Sequence, residues 1–409
     1  MAKGALEGVR VIELGPLIAL PLTCRILAAL GAEIIKVESN RVPDVMNYLP
    51  GWEIGSGRAE YDALKRKLTL DVAHPEAAPI MHKLFAKSDV FVTNFRRHIL
   101  KRWGIDFPEI RATNPELIIM WQTGVGGEGP YAGYKFFGYP SQHTCGISLM
   151  TGYPEDEITA AETSYSDYHT ALFQLMAIIA ALLKRKRTAK PSTIETPIWK
   201  SGVVTVGPAF LDFQANKRLP RRMGNRDTYA SPHNVFPCKG EDRWCAISVP
   251  TEKDWEAFCG VLGNPPWTKD GKFSTLLDRK KNEDELDDLI GKWTINYEAE
   301  EVMGKMQEAG VPAGVVAKGQ DLYESPQLRA RDFYQETEYY IPDFLKPGIE
   351  WETAPQTTLV GRVPIGLSET PTEVGRYGRV GEDNEYIYKE IIGISEEEIK
   401  RLTEIGAIR

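Results

Sequence analysis

The 409-residue chain has little that would staple, metallate or anchor it. Its five cysteines, Cys24, Cys145, Cys238, Cys245 and Cys259, are odd in number and scattered, without a CxxC pair or zinc spacing. That excludes a disulfide framework and points to a reduced, cytoplasmic setting. The six histidines do not cluster, so no metal site is expected. Acidic residues outnumber basic ones by 57 to 49, which removes the basic footprint that a nucleic-acid partner needs. Met1-Ala2-Lys3-Gly4 does not open a signal peptide, and no apolar run reads as membrane-spanning, so no membrane partner is expected. The turn Gly15-Pro16-Leu17-Ile18-Ala19-Leu20-Pro21 lacks GxGxxG, whose glycines let backbone approach a pyrophosphate; this argues against a nicotinamide enzyme. Gly124 to Pro130 likewise lacks the lysine and hydroxyl of a phosphate-binding loop. There is no internal repeat.

What is present is an alternation of short β-branched runs with amphipathic stretches, the pattern of a parallel sheet with crossover helices. Strands are predicted at 9–14, 34–37, 90–94, 117–121 and 193–196, with helices at 21–30, up to Lys87, at 108–113 and at 201–213. The short basic runs Lys65-Arg66-Lys67 and Lys184 to Arg187 read as solvated helix ends or turns. From Tyr229 the character changes, with strands at 234–236 and 244–249 and helices at 252–262, 280–292 and 299–308. The fold class is therefore α/β: a Rossmann-like large domain plus a smaller α+β domain. The boundaries read as 1–215, a linker at 216–228, a small domain at 229–325, and a return segment at 326–409 with loops across 342–371 and a helix at 395–405.

The segment Thr163-Ser164-Tyr165-Ser166-Asp167-Tyr168-His169 opens a long apolar helix that closes on Lys184-Arg185-Lys186-Arg187. Leu172, Leu175, Met176, Ile179, Leu182 and Leu183 recur at helical spacing and most other positions are apolar, which predicts burial on nearly all sides. Ser164 or Ser166 suits the cap, and the cations suit the carbonyl end. Asp167, in the first turn, would stay ionised at neutral pH under the helix dipole. A first-turn aspartate serves as a capping acid or, beside amide N–H groups, as a nucleophile toward a thioester or phosphoryl group.

The order and spacing of several further fragments carry a resemblance. They are Leu6 to Leu14, Gly31 to Glu38, Tyr61 to Asp71, Ser88 to Arg96, Asn114 to Ile119, Arg222-Met223-Gly224-Asn225, Asn234 to Cys238, Gly310 to Gly314 and Leu402 to Gly406. Together they resemble the family III CoA-transferases, the group that includes formyl-CoA transferase, carnitine CoA-transferase and 2-methylacyl-CoA racemase. The resemblance implies an interlocked-ring dimer and places Asp167 where the family keeps its nucleophilic aspartate. It implies coenzyme A or acyl-CoA as substrate, with no permanently bound cofactor, and a carboxylic acid as acceptor. Arg41, Leu70, Asn94, Phe95, Arg102 and Lys135 match its CoA-binding positions. The mechanism implied runs through an aspartyl mixed anhydride and an aspartyl-CoA thioester on Asp167.

Two departures bear on the substrate: Ile18 stands where formyl-CoA transferase has a glutamine, and Ala73 replaces a phosphate-binding lysine. The glycine-rich loop that covers that enzyme's site is missing; Arg221 to Arg226 is its nearest counterpart, either a guanidinium source for an acid substrate or a solvated linker. Ile18, Phe137 and Tyr139 suggest a greasy pocket, and Gly124 to Pro130 a flexible wall beside it. The expectation is transfer from an acyl-CoA, succinyl-CoA among the candidates, to a bulky or aromatic acid such as benzylsuccinate. A racemase on the same fold needs a second base, and the matching position is Phe137, which cannot move a proton. One subunit of a heteromeric transferase stays open alongside a homodimer.

Overall fold

The computed structural model describes residues 4–39, 41, 44, 46, 60–159, 164–339, 356–370, 372 and 375–408; of the loops expected across 342–371, residues 342–355 and 371 lie outside these. The chain divides into two units, residues 1–147, 160–215 and 330–409 in the first and 148–159 with 216–329 in the second.

The first unit is built on a six-stranded sheet in the order β3-β2-β1-β4-β5-β6, every pair parallel. The strands are β1 (Arg10–Leu14), β2 (Glu33–Glu38), β3 (Arg66–Thr69), β4 (Val90–Thr93), β5 (Ile118–Thr123) and β6 (Thr193–Pro197). This is the doubly wound order, with its switch point between β1 and β4. Successive side chains point to opposite faces, so Val11 and Ile34 pair on one and Ile12 and Ile35 on the other. Both faces are covered, as a parallel sheet requires. On one side Val11, Ile34, Val92 and Met120 pack with Leu20, Cys24 and Leu27 of α1 (Ala19–Ala29). On the other, Ile12, Ile35 and Phe91 meet Leu84 and Phe85 of α2 (Ala77–Ala86), Leu100 of α3 (Arg97–Arg102) and Ile110 of α4 (Phe107–Thr113). Ile387, Tyr388, Ile391 and Leu402 close this second core; Leu402 belongs to α12 (Glu396–Glu404).

Two helices bring the site to the sheet: α5 (Gly138–Thr144) and the 24-residue α6 (Tyr165–Thr188). Only one stripe of α6 is buried, Ser166, Asp167, Thr170, Ala171, Gln174, Leu175, Ile178 and Ala181. Leu172, Met176 and Leu183 are more than half exposed, at 51, 56 and 56%. The expectation of burial on nearly all sides is corrected accordingly: an apolar composition does not say which faces this chain alone covers. By length and composition α6 would also suffice to cross a membrane, contrary to the sequence reading, although 44% of its apolar window is buried within the protein. Its inner face packs on α1, where Thr23 Oγ1 donates to Gln174 Oε1 at 2.8 Å and Gln174 Nε2 to Gln122 Oε1 at 2.8 Å. The single helix expected over 201–213 is two, α7 (Ile198–Thr205) and α8 (Gly207–Asn216). Pro208 at the second position of α8 has no N–H to continue the first. A two-stranded antiparallel ribbon, β10 (Tyr334–Tyr339) with β11 (Gln356–Gly361), completes this unit.

The second unit folds around β7 (His233–Pro237), β8 (Trp244–Ser248) and β9 (Ala313–Val315), all antiparallel. Its core joins Phe236 and Ile247 to Trp255 and Phe258 of α9 (Glu252–Val261), Leu286 and Ile290 of α10 (Glu283–Thr294), and Val302 and Met306 of α11 (Ala299–Glu308).

Candidate active site

Ser164 occupies the cap position of α6, yet its hydroxyl bonds no backbone amide of the first turn. It donates instead to Asp167 Oδ2, while the Asp167 amide is satisfied by the Ser164 carbonyl at 2.9 Å. Ser166 does not cap either: its hydroxyl donates to the Gly138 carbonyl at 3.1 Å, tying the start of α5 to the start of α6. Gly138 lies so close that a methyl on its Cα would overlap both the Ser164 hydroxyl and the Asp167 carboxylate. Its backbone is not left-handed, so it is space that demands glycine here.

Asp167 is 6% exposed. Burial pushes its carboxyl up to about 6, the Ser164 hydrogen bond pulling the other way. The sequence reading rests the ionisation of Asp167 on the helix dipole; burial works against it. The group remains mostly ionised at neutral pH. Among the described residues no cation pairs with it. Tyr61 and Tyr168 share a hydroxyl–hydroxyl hydrogen bond of 2.6 Å nearby. Burial and that bond hold the Tyr61 phenol protonated, with the Asp167 charge adding to the effect. A buried carboxylate with one oxygen held and no counter-ion is equipped to act as a nucleophile.

Two of the predicted pocket residues are chain neighbours of Gly138. Phe137 and Tyr139 stand on either side of Gly138 and are 51 and 43% exposed. Ile18 is half-buried at the cap position of α1. The glycine-rich stretch after β5 is not free: Glu195 Oε1 accepts from Thr123 Oγ1 at 3.0 Å and from the Gly127 amide, and Gly127 sits against Trp121. The expected flexible wall is thus an anchored one.

A cleft of about 310 Å³ opens at the carboxyl edge of β1, β2, β3 and β4, lined by Gly15, Pro16, Glu38, Leu70, Phe95 and Trp103 among others. Of the predicted CoA-binding residues, Leu70 and Phe95 line it directly. Asn94 supports it at the switch point, its Nδ2 donating to the Pro16 carbonyl at 2.8 Å. Arg41 pairs at 3.1 Å with Asp71, another lining residue. Arg102 is exposed at the end of α3, next to the lining residue Trp103, and Lys135 is exposed in the stretch before α5. Ala73 lines the mouth where the resemblance leads one to look for a lysine.

Part of the cleft's lining, Lys36, Glu38 and Asp44, belongs to a cluster that sequence reading missed. Lys36, Lys65 and Lys67 are buried, facing Glu13, Glu38, Asp44 and Asp62. Asp62 is the hub, with all three ammonium groups 2.8 to 2.9 Å away. The basic run at 65–67 is therefore no solvated turn: Lys67 lies on a strand and Lys65 just before it, both inside the protein, and only Arg66 reaches the surface. Strand alternation across Lys65-Arg66-Lys67 was the one available signal.

The stretch at 221–226, within the second unit, offers no spare guanidinium at two of its three arginines. Arg222 donates to the carbonyls of Tyr153 and Asp156 at 3.0 and 2.9 Å. Arg226 pairs with Asp284 and Asp287 at 2.6 and 3.0 Å.

Comparison with known proteins adds four findings. The model of the family described as CoA-transferase family III matches residues 6–384. The succinyl-CoA–D-citramalate CoA-transferase of Chloroflexus aurantiacus is 29% identical over 97% of this chain and 96% of its own. The beta subunit of the succinyl-CoA–L-malate CoA-transferase of the same organism is 27% identical over 97 and 96%. Among solved structures, a CAIB/BAIF family protein from Brucella suis superposes with a TM-score of 0.84 at 26% identity, covering 96% of this chain and 100% of that one.

Proposed function

The chain belongs to CoA-transferase family III, and on that premise we propose that Asp167 is the nucleophile through which it moves CoA from an acyl-CoA to a carboxylic acid. The observation that carries this reading is the Asp167 carboxylate itself: buried, without a cation among the described residues, and held on one oxygen by Ser164.

One carboxylate oxygen attacks the thioester carbonyl; a C–O bond forms, the C–S bond breaks, and CoA leaves as thiolate. The thiolate sulfur then attacks the aspartyl carbon of the mixed anhydride, and the donor acid departs with the bridging oxygen, leaving an aspartyl-CoA thioester. An acceptor carboxylate reverses both steps. Each exchange joins groups of similar reactivity and balances without ATP. The protein's contribution is to position the partners and keep water from the anhydride.

The nucleotide end of CoA is assigned to the cleft at the sheet edge, with Leu70 and Phe95 in its wall, Asn94 shaping the turn, and Arg41, Arg102 and Lys135 as phosphate partners at its rim. The neighbourhood of Ile18, Phe137 and Tyr139 receives the acyl groups. Succinyl-CoA is the donor to test first, since it appears in the names of both Chloroflexus relatives. Their acceptors are small hydroxy-dicarboxylates, whereas the exposed aromatics here favour a bulkier acid. The exposed apolar residues Leu172 and Met176 of α6 and Phe210 and Leu211 of α8 support a second chain covering this face, a copy or a related subunit.

The test is incubation with succinyl-CoA and acetyl-CoA followed by intact mass and peptide mapping. An acyl or CoA adduct on the Asp167 peptide, lost in Asp167→Asn, is the expected result. Exchange of the α-proton of a 2-methylacyl-CoA without any adduct would sink the transferase reading and restore the racemase.

A further inference from the structure

We propose that Ser164 is a positioning residue that makes the two oxygens of Asp167 unequal, holding Oδ2 as the oxygen that stays with the aspartyl group and leaving Oδ1 to attack. The inference rests on the reading of Asp167 as nucleophile and extends it to a residue three positions earlier.

The Ser164-x-x-Asp167 spacing is that of a helix capping box, in which the serine hydroxyl bonds the backbone amide at Asp167. The hydroxyl has been diverted: it bonds the carboxylate, and the amide uses the Ser164 carbonyl instead. A hydroxyl has one proton to donate, and here Oδ2 takes it. Gly138 lies against the hydrogen bond itself, since any side chain there would overlap both the hydroxyl and Oδ2, and Ser166 fixes Gly138 through its carbonyl. Ser164 is 7% exposed, so the bond forms away from bulk water, where a single donor counts for more.

The consequence follows from the chemistry. When Oδ1 forms the anhydride, Oδ2 becomes the aspartyl carbonyl oxygen. As the thiolate sulfur adds to the aspartyl carbon, negative charge develops on Oδ2 and the C–S bond forms. Collapse of that adduct breaks the bond from carbon to Oδ1, and the acid leaves with Oδ1 and its electron pair. The Ser164 O–H already points at the atom that carries the charge, as an oxyanion donor must. In the free enzyme the same bond favours the ionised nucleophile against burial, which is the larger effect and works the other way. Among the described residues Tyr61 feels the Asp167 charge, after burial, its hydrogen bond to Tyr168 and the charge of Glu60.

Steady-state rates of CoA transfer from succinyl-CoA to acetate and from acetyl-CoA to succinate, from about pH 5 to about pH 9, test this on wild type, Ser164→Ala and Ser164→Gly. Glycine is itself a good cap residue, so the second variant keeps the helix start if alanine perturbs it. Both variants are expected to lose roughly 10²- to 10³-fold in kcat with donor KM unchanged, as for removal of one oxyanion donor. The acid limb of kcat/KM should move to higher pH in both, a change that a merely structural serine would not produce. Unchanged kcat and limb, or a lower kcat with an unmoved limb, would overturn the role of Ser164 while an adduct on Asp167 leaves the nucleophile standing. No adduct on wild-type Asp167 with either donor would remove the premise and the proposal together.

Discussion

Asp167→Asn should remove transfer and, at neutral pH, make the protein harder to unfold. Folding moves this carboxyl from an ordinary 3.8 up to about 6, burial being the cause. The folded state therefore holds a proton over a pH range in which the unfolded chain has released it. Stability from this group is full below its unfolded pKa and is lost as pH rises through the folded one. The span is about two pKa units at about 1.4 kcal/mol each, so the ionised aspartate weakens the fold by about 3 kcal/mol above the window. Asparagine does not titrate and can still accept from Ser164. The advantage of Asp167→Asn over wild type is thus expected to be small near pH 4 and to grow to about 3 kcal/mol by about pH 7. Urea unfolding of both proteins at the two ends of that range, followed by tryptophan fluorescence, measures the double difference. An advantage of the same size at both pH values would refute the reasoning, because only a titrating Asp167 makes it pH-dependent.

In wild type, kcat/KM should fall on the acid side with an apparent pKa near 6, tracking ionisation of Asp167; a profile flat to below about pH 5 would contradict the burial argument. Gly138→Ala places a methyl against the Ser164 hydroxyl and the carboxylate, so we expect a loss of about 1–3 kcal/mol in stability and a collapse of transfer, read by thermal melting and initial rates. Lys67→Met leaves Glu38 and Asp62 short of a buried partner and should cost about 3 kcal/mol, with a chemical denaturation midpoint that drops accordingly. Phe210→Glu places a charge on the exposed apolar face of α8 and should halve the mass seen by light scattering if a second chain covers that face.

Most of the first unit was legible because parallel strands are short, β-branched and separated by helices of crossover length. Strands at 9–14, 34–37, 90–94, 117–121 and 193–196 each met a real one, within a residue or two at the ends. The strand at Arg66–Thr69 was hidden by charge at its start: Lys67, and Lys65 just before the strand, look like surface until Asp62 and Glu38 are known to face them. Glu38 is 29 positions from Lys67 in the chain, and the alternation across 65–67 does not by itself say which face is inside. Asp167 was visible as a first-turn acid, but the partner of its side chain was mistaken for a cap because capping and carboxylate-holding share the same spacing. The tight approach of Gly138 was invisible for a different reason: it depends on how two helices far apart in sequence begin side by side.

The closure of the second face of the sheet by Ile387, Tyr388, Ile391 and Leu402 has a consequence for how the chain acquires its shape. Strand β1 and these residues share one core, although more than 370 positions separate them and a complete second unit lies between. During synthesis the second unit can gather its local core early, while the sheet made first waits with one side incompletely covered until the segment beyond Asn384 emerges. Contacts of such separation are slow to form and leave apolar strands open in the interval. The part of the protein that is made first is thus the part finished last.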